Sequence, residues 1–139
     1  MEKTNNIKNY KDLIVWQKSH LLAMKIYNFF IRAKKTAATY EIWKQCLDAA
    51  FSVPANIVEG YYGHFGPGFM AKLTIAKGEA GETEYWLYVL SEIKEIPKEI
   101  YMSLSQEYLE VILMLKSLKS KIGERTKTPF ALAKRRSLH

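Results

Sequence analysis

Apolar residues in this chain recur at alternating steps of three and four over three long segments, and only a helix keeps residues so spaced on one face. The first of these runs is Tyr40, Trp43, Leu47, Ala50, Pro54, Ile57 and Tyr61. The second is Phe69, Leu73, Ala76, Ala80, Thr83, Leu87 and Leu90. The third is Tyr101, Leu104, Tyr108, Val111, Leu115, Leu118 and Ile122. A mean step of about 3.5 residues predicts left-handed packing at shallow angles.

An earlier segment is apolar on two sides. One stripe is Leu13, Trp16, His20, Met24, Tyr27 and Ile31, and it is expected to face the core. Val15, Leu22, Ile26 and Phe29 lie roughly opposite. A helix apolar on both sides must bury both or expose a patch, so these four residues are expected to form an interface between copies of the chain.

Local punctuation supports four helices, at about 11–34, 40–62, 68–95 and 98–122. Lys34 and Lys35 suit a helix C-terminus, Thr39 suits an N-cap with Glu41 in the first turn, and Gly123 suits the residue after a helix. Pro97 fits the start of the last helix. Pro54 falls inside the second helix and predicts a bend there, with a break near Ser52 and Val53 as the alternative. Gly60, Gly63, Gly66, Pro67 and Gly68 form one glycine-rich turn. Short connections make consecutive helices antiparallel. The expected fold is all-α, an up-down-up-down four-helix bundle over residues 1–122, followed by a basic tail over 123–139 that is expected to be flexible.

The 139 residues fit one domain, and 48% apolar with 25% charged content is globular composition. A single cysteine, Cys46, excludes an internal disulfide framework and fits a reducing, cytoplasmic setting. No apolar run approaches the roughly 18 residues of a membrane span, and the polar first ten residues do not read as a signal peptide.

The net charge of +7 is unevenly placed. Residues 11–35 hold six basic and one acidic residue, and the tail holds five basic and one acidic. Lys11, Lys18, Lys25 and Arg32 recur every seven residues, which on one helix makes a basic line roughly 31 Å long. With Lys134, Arg135 and Arg136 of the tail, they are the expected phosphate contacts to RNA or DNA. A solvated helix face and a solubilising tail would carry the same residues. An acidic protein partner is the second expectation.

No catalytic, metal or cofactor site is expected. His20, His64 and His139 do not cluster with Cys46, and no paired Cys/His spacing occurs. The glycine-rich turn lacks the Gly-Lys-Ser/Thr ending of a phosphate loop; its Tyr61, Tyr62 and Phe65 would plug the bundle end or stack on unpaired bases. Glu79 and Glu82 are expected to answer lysines of a neighbouring helix or subunit, because the Glu-x-x-His pair of diiron bundles is absent. Ser52, Asn56 and Glu59 share one side of the second helix and read as a buried polar network that fixes register, or as a binding site.

Three stretches carry a family resemblance. They are Tyr10-Lys11-Asp12-Leu13-Ile14-Val15-Trp16-Gln17-Lys18-Ser19, then Gln45-Cys46-Leu47-Asp48-Ala49-Ala50-Phe51-Ser52-Val53-Pro54-Ala55-Asn56-Ile57-Val58-Glu59-Gly60, and Ile75-Ala76-Lys77-Gly78-Glu79-Ala80. Together they resemble the four-helix-bundle proteins encoded in 23S rRNA intervening sequences, the S23 family. Asp48 stands where that family usually has Arg, and His64 stands near another usual Arg. The resemblance implies a small, non-enzymatic bacterial protein. It also implies a fold similar to the accessory protein of diversity-generating retroelements, a basic pentamer that partners a reverse transcriptase and RNA. A ring-like homo-oligomer, a pentamer by that resemblance, is therefore expected here, with a reverse transcriptase or another effector as a possible acidic partner.

Overall fold

The computed structural model describes residues 7–126. A 3-10 turn at Tyr10–Asp12 leads into α1 (Ile14–Arg32), α2 (Ala37–Gly63), α3 (Pro67–Glu92) and α4 (Lys98–Thr126), with no strand among the described residues. Consecutive helices pack side by side, and α1 closes on α4 by the thinnest seam. The architecture is the expected all-α four-helix bundle.

The helix ends show how side chains replace missing backbone partners. Thr36, not Thr39, caps α2: its Oγ1 accepts from the Thr39 N–H at 3.2 Å, while Thr39 Oγ1 accepts from the Thr36 N–H at 2.8 Å. The helix thus begins three residues before the expected start. At the end of α1, Lys35 Nζ donates to the carbonyls of Phe30 at 2.6 Å and Ala33 at 2.7 Å. Gly66, at φ 53°, takes the left-handed conformation that lets the chain enter α3 at Pro67. Gly123 does not stop α4, which runs on to Thr126. Its bare Cα is used sideways instead: a Cβ there would stand 3.3 Å from Met70 Cε on α3.

α2 passes through Pro54 without a break, and Pro54 is buried. At the far end of α2 the approach to α3 is close enough to require glycine. A Cβ on Gly60 would lie 2.8 Å from Phe69 Cδ1. Alanines at 49, 50, 76 and 80 are buried along the two helices, which brings their backbones together.

The core matches the expected stripes on α3 and α4. Leu73, Ala76, Ala80, Thr83, Leu87 and Leu90 are buried on α3, and Leu104, Tyr108, Val111 and Leu115 on α4. On α1 the two stripes are exchanged. Val15, Leu22 and Ile26, expected at an interface between copies, are buried inside the chain's own core, with Phe29 partly buried against it. Of the stripe expected to face inward, only Leu13 is buried; Met24, Tyr27 and Ile31 are exposed. The buried face also carries Ser19 and Ala23, both at 0% exposure. Two small side chains let α1 settle against its neighbours, whereas the opposite stripe of Trp16, His20, Met24 and Tyr27 would hold it away.

Candidate nucleic-acid interface

The seven-spaced basic line does not survive folding as one line. Lys11 lies in the 3-10 turn, and extended Leu13 (φ −74°, ψ 121°) separates that turn from α1. Lys18 is spent inside the molecule. Its Nζ pairs with Glu107 of α4 at 2.7 Å and also with Glu110. Burial opposes its charge, but the hydrogen bonds to the two carboxylates outweigh that and hold its pKa above the usual lysine value. This pair is the electrostatic clasp of the thin α1–α4 seam. Lys25 and Arg32 remain exposed on α1. Lys134, Arg135 and Arg136 lie outside the described residues.

The polar set on α2 is not a network. Ser52 Oγ donates to its own helix at Asp48 O (2.7 Å), and Asn56 Nδ2 donates to Ser52 O (2.8 Å). Among the described residues neither side chain bonds to another helix, and neither residue is fully buried. Glu59 alone crosses, accepting Lys72 of α3 at 2.9 Å. That ion pair, with the Gly60 contact beside it, holds α2 to α3 next to the turn. Asp48 is exposed on α2.

Two other glutamates do the register work that the α2 set was expected to do. Glu84 of α3 accepts hydrogen bonds from the Tyr101 hydroxyl and, at 3.0 Å, from Ser105, both on α4. Glu95, in the α3–α4 turn, accepts the indole N–H of buried Trp43 at 2.9 Å. Glu79 and Glu82 find no lysine among the described residues. Glu82 accepts from Trp86 at 3.2 Å. Partial burial, then the neighbouring Glu82, push the Glu79 carboxyl above the ordinary value.

One surface suited to anions is a groove that periodicity did not mark. A groove of about 460 Å³ runs between the start of α3 and the end of α4. Lys77, Lys116 and Lys119 line it, with Thr74 and Ser120 among the polar groups and Glu124 as its acidic residue. None of the three lysines forms an ion pair among the described residues. The groove requires α3 and α4 to lie antiparallel, so cations some forty positions apart in sequence share one wall. The only sequence signal was Lys116 and Lys119 at helical spacing on α4.

The same end of the bundle carries the glycine-rich turn and its aromatic residues. His64 follows the last residue of α2, and a Cβ on Gly68 would stand 2.9 Å from its Nδ1. Tyr61 packs against the core, whereas Tyr62 and Phe65 are exposed. Plugging of the bundle end therefore falls to Tyr61 alone of the three.

The buried reactive groups are held in their protonated forms. Burial pushes the Cys46 thiol up to about 12. Burial first, and then the nearby Cys46, drive the Tyr108 phenol well above its usual value. No group of three or more His, Cys, Asp or Glu residues placed to hold a metal occurs among the described residues. No described helix is long and apolar enough to cross a membrane.

The family model for the 23S rRNA-intervening sequence protein matches residues 11–117. Among solved structures, the chain is similar to a protein of unknown function from the S23 ribosomal protein family of Bacteroides thetaiotaomicron. That similarity has a TM-score of 0.67 and 34% identity, and covers 76% of this chain and 98% of the other. No curated protein matched.

Proposed function

The chain belongs to the 23S rRNA-intervening sequence protein family, and from that premise we propose that it is a non-enzymatic, homo-oligomeric protein of the cytoplasm that binds structured RNA or DNA. The observation that carries the reading is the α3–α4 groove. Lys77, Lys116 and Lys119 converge there without paired carboxylates, while Lys18 is neutralised by Glu107 and Glu110. Cations left unpaired beside a groove attract phosphates and release their counterions on binding. In sequence, the basic tail continues from the end of α4 that lines this groove.

The proposed contact between copies moves away from Val15, Leu22 and Ile26. The outer face of α3 and α4 carries exposed Tyr85, Leu109 and Leu113. Gly78 and Gly81 lie on α3, where an added Cβ would meet nothing within 4 Å. A glycine inside a helix costs about 1 kcal/mol relative to alanine. Two such residues with open space beside them leave room for a second backbone to approach closely. A ring-like assembly, a pentamer by the family resemblance, would repeat the groove around its circumference.

The test is binding of a labelled RNA hairpin across a salt series. The affinity of the wild type should fall steeply with salt. Changing Lys77, Lys116 and Lys119 together to Gln should lower the log–log slope by about two to three. An unchanged slope would reject the groove, and no binding at low salt would reject the nucleic-acid reading. A protein partner retained after nuclease treatment, with no nucleic acid bound, would favour docking of an acidic effector such as a reverse transcriptase instead.

A further inference from the structure

The rings at the glycine-turn end form a continuous row that the phosphate-binding groove does not use. His20 stacks flat on Trp16, with centroids 4.9 Å apart and planes at 7°. Trp16 meets Tyr10 edge-on at 5.0 Å, and Tyr10 meets Tyr62 edge-on at 5.8 Å. Tyr62 in turn meets Tyr61 at 5.3 Å. The row therefore joins the 3-10 turn, α1 and α2. Its inner members, Trp16 and Tyr61, rest on the core. Its outer member, Tyr62, is 67% exposed.

Holding a large ring in water forgoes the burial that usually favours aromatic residues. Tyr62 is nevertheless braced edge-on by Tyr10 and Tyr61, so little freedom remains for it to lose when something stacks on it. Two lysines and one carboxylate belong to the segment that carries Tyr10. Lys11 Nζ stands 5.9 Å from the Tyr10 ring centroid, and Lys8 precedes the turn. The carboxylate of this turn, Asp12, is occupied by the backbone N–H groups of Lys8 at 2.7 Å and Asn9 at 3.1 Å.

We propose that this row is a stacking platform for unpaired nucleobases, with Tyr62 as the open ring and Lys8 and Lys11 serving the flanking phosphates. The proposal rests on the nucleic-acid reading above and narrows its ligand to strands that present unpaired bases. Every base has a π-face, so such a platform tolerates sequence and discriminates against a closed duplex, whose bases are already stacked.

The experiment compares an oligouridine strand with a blunt RNA duplex of equal length, both labelled, by fluorescence anisotropy at low salt. Tyr62→Ala should weaken oligouridine binding about tenfold and leave duplex binding unchanged, as expected for one lost base–aromatic stack. Tyr62→Phe keeps the ring and should restore binding. The groove variant lacking Lys77, Lys116 and Lys119 should weaken both ligands. Equal effects of Tyr62→Ala on strand and duplex, or none on the strand, would overturn the platform while leaving the groove standing. Failure of the wild type to bind either ligand would overturn the nucleic-acid reading and the platform with it.

Discussion

Ile26 and Ile31 sit five residues apart on α1 and are chemically identical, yet the fold treats them oppositely. Ile26 is 0% exposed and Ile31 is 54% exposed. Ile26→Ala removes three carbon groups from the core, at about 0.8 kcal/mol each. The space left behind adds to this, so the expected cost is roughly 3 kcal/mol. With an unfolding entropy of roughly 0.3 kcal/mol/K for a chain of this length, the melting temperature should fall by about 10 °C. Ile31→Ala should cost less than about 0.5 kcal/mol. Urea unfolding followed by far-UV circular dichroism, with particle mass from light scattering at one fixed concentration, reads both quantities. An Ile26→Ala variant with an unchanged midpoint but a smaller particle would refute the assignment of α1's buried face. So would an Ile31→Ala variant that costs as much as Ile26→Ala.

Three other outcomes follow from the described contacts. Lys18→Met should lower stability by about 1 kcal/mol, since it leaves Glu107 and Glu110, neighbours on α4, without the cation that answers them across the thin seam, and should not change the salt slope of RNA binding. Because the folded-state pKa of Lys18 is raised, its contribution is full below the unfolded value of about 10.5 and is lost as pH rises through the folded value. The stability gap between wild type and variant, measured by urea unfolding, should therefore persist at neutral pH and shrink in strong alkali, and it should shrink also in acid that protonates the two carboxylates. Glu79 shows the reverse sign. Its carboxyl is raised by burial and by Glu82, so the folded state holds the proton more tightly and ionisation penalises folding above the folded pKa. Glu79→Gln should raise the urea midpoint at neutral pH, and that gain should vanish as pH falls below the ordinary carboxyl range. Cys46, with its thiol pushed up to about 12 and its side chain buried, should resist iodoacetamide at mildly alkaline pH until denaturant is added. Rapid native alkylation, followed by mass spectrometry, would contradict that burial.

Helix count, order and the core positions of α3 and α4 were legible because their buried residues keep the three-and-four spacing along one line; on α2 the same spacing found Trp43, Ala50, Pro54 and Ile57 but also marked Tyr40, which is exposed. Leu73 to Leu90 and Leu104 to Leu115 fell where the spacing placed them. The family signature was legible too, since it is a local string of residues. Helix ends were legible only to within a turn: Thr36 and Thr39 are both competent caps, and their reciprocal bonds decide which one begins the helix. Gly123 read as a stop because glycine favours helix ends, but proximity to Met70 gives it a different use.

What the sequence determined alone is therefore what repeats along one helix, namely its period, polarity and length. The tertiary structure decided everything that depends on a facing partner. It buried Val15, Leu22 and Ile26 rather than the aromatic stripe, because Ser19 and Ala23 let that side approach. It withdrew Lys18 from the surface charge by setting Glu107 and Glu110 against it. It also made a basic groove from Lys77, Lys116 and Lys119, residues that no one-dimensional pattern joins. The physical reason is range: backbone periodicity acts over a few residues, whereas burial and ion pairing act across space between segments that only folding brings together.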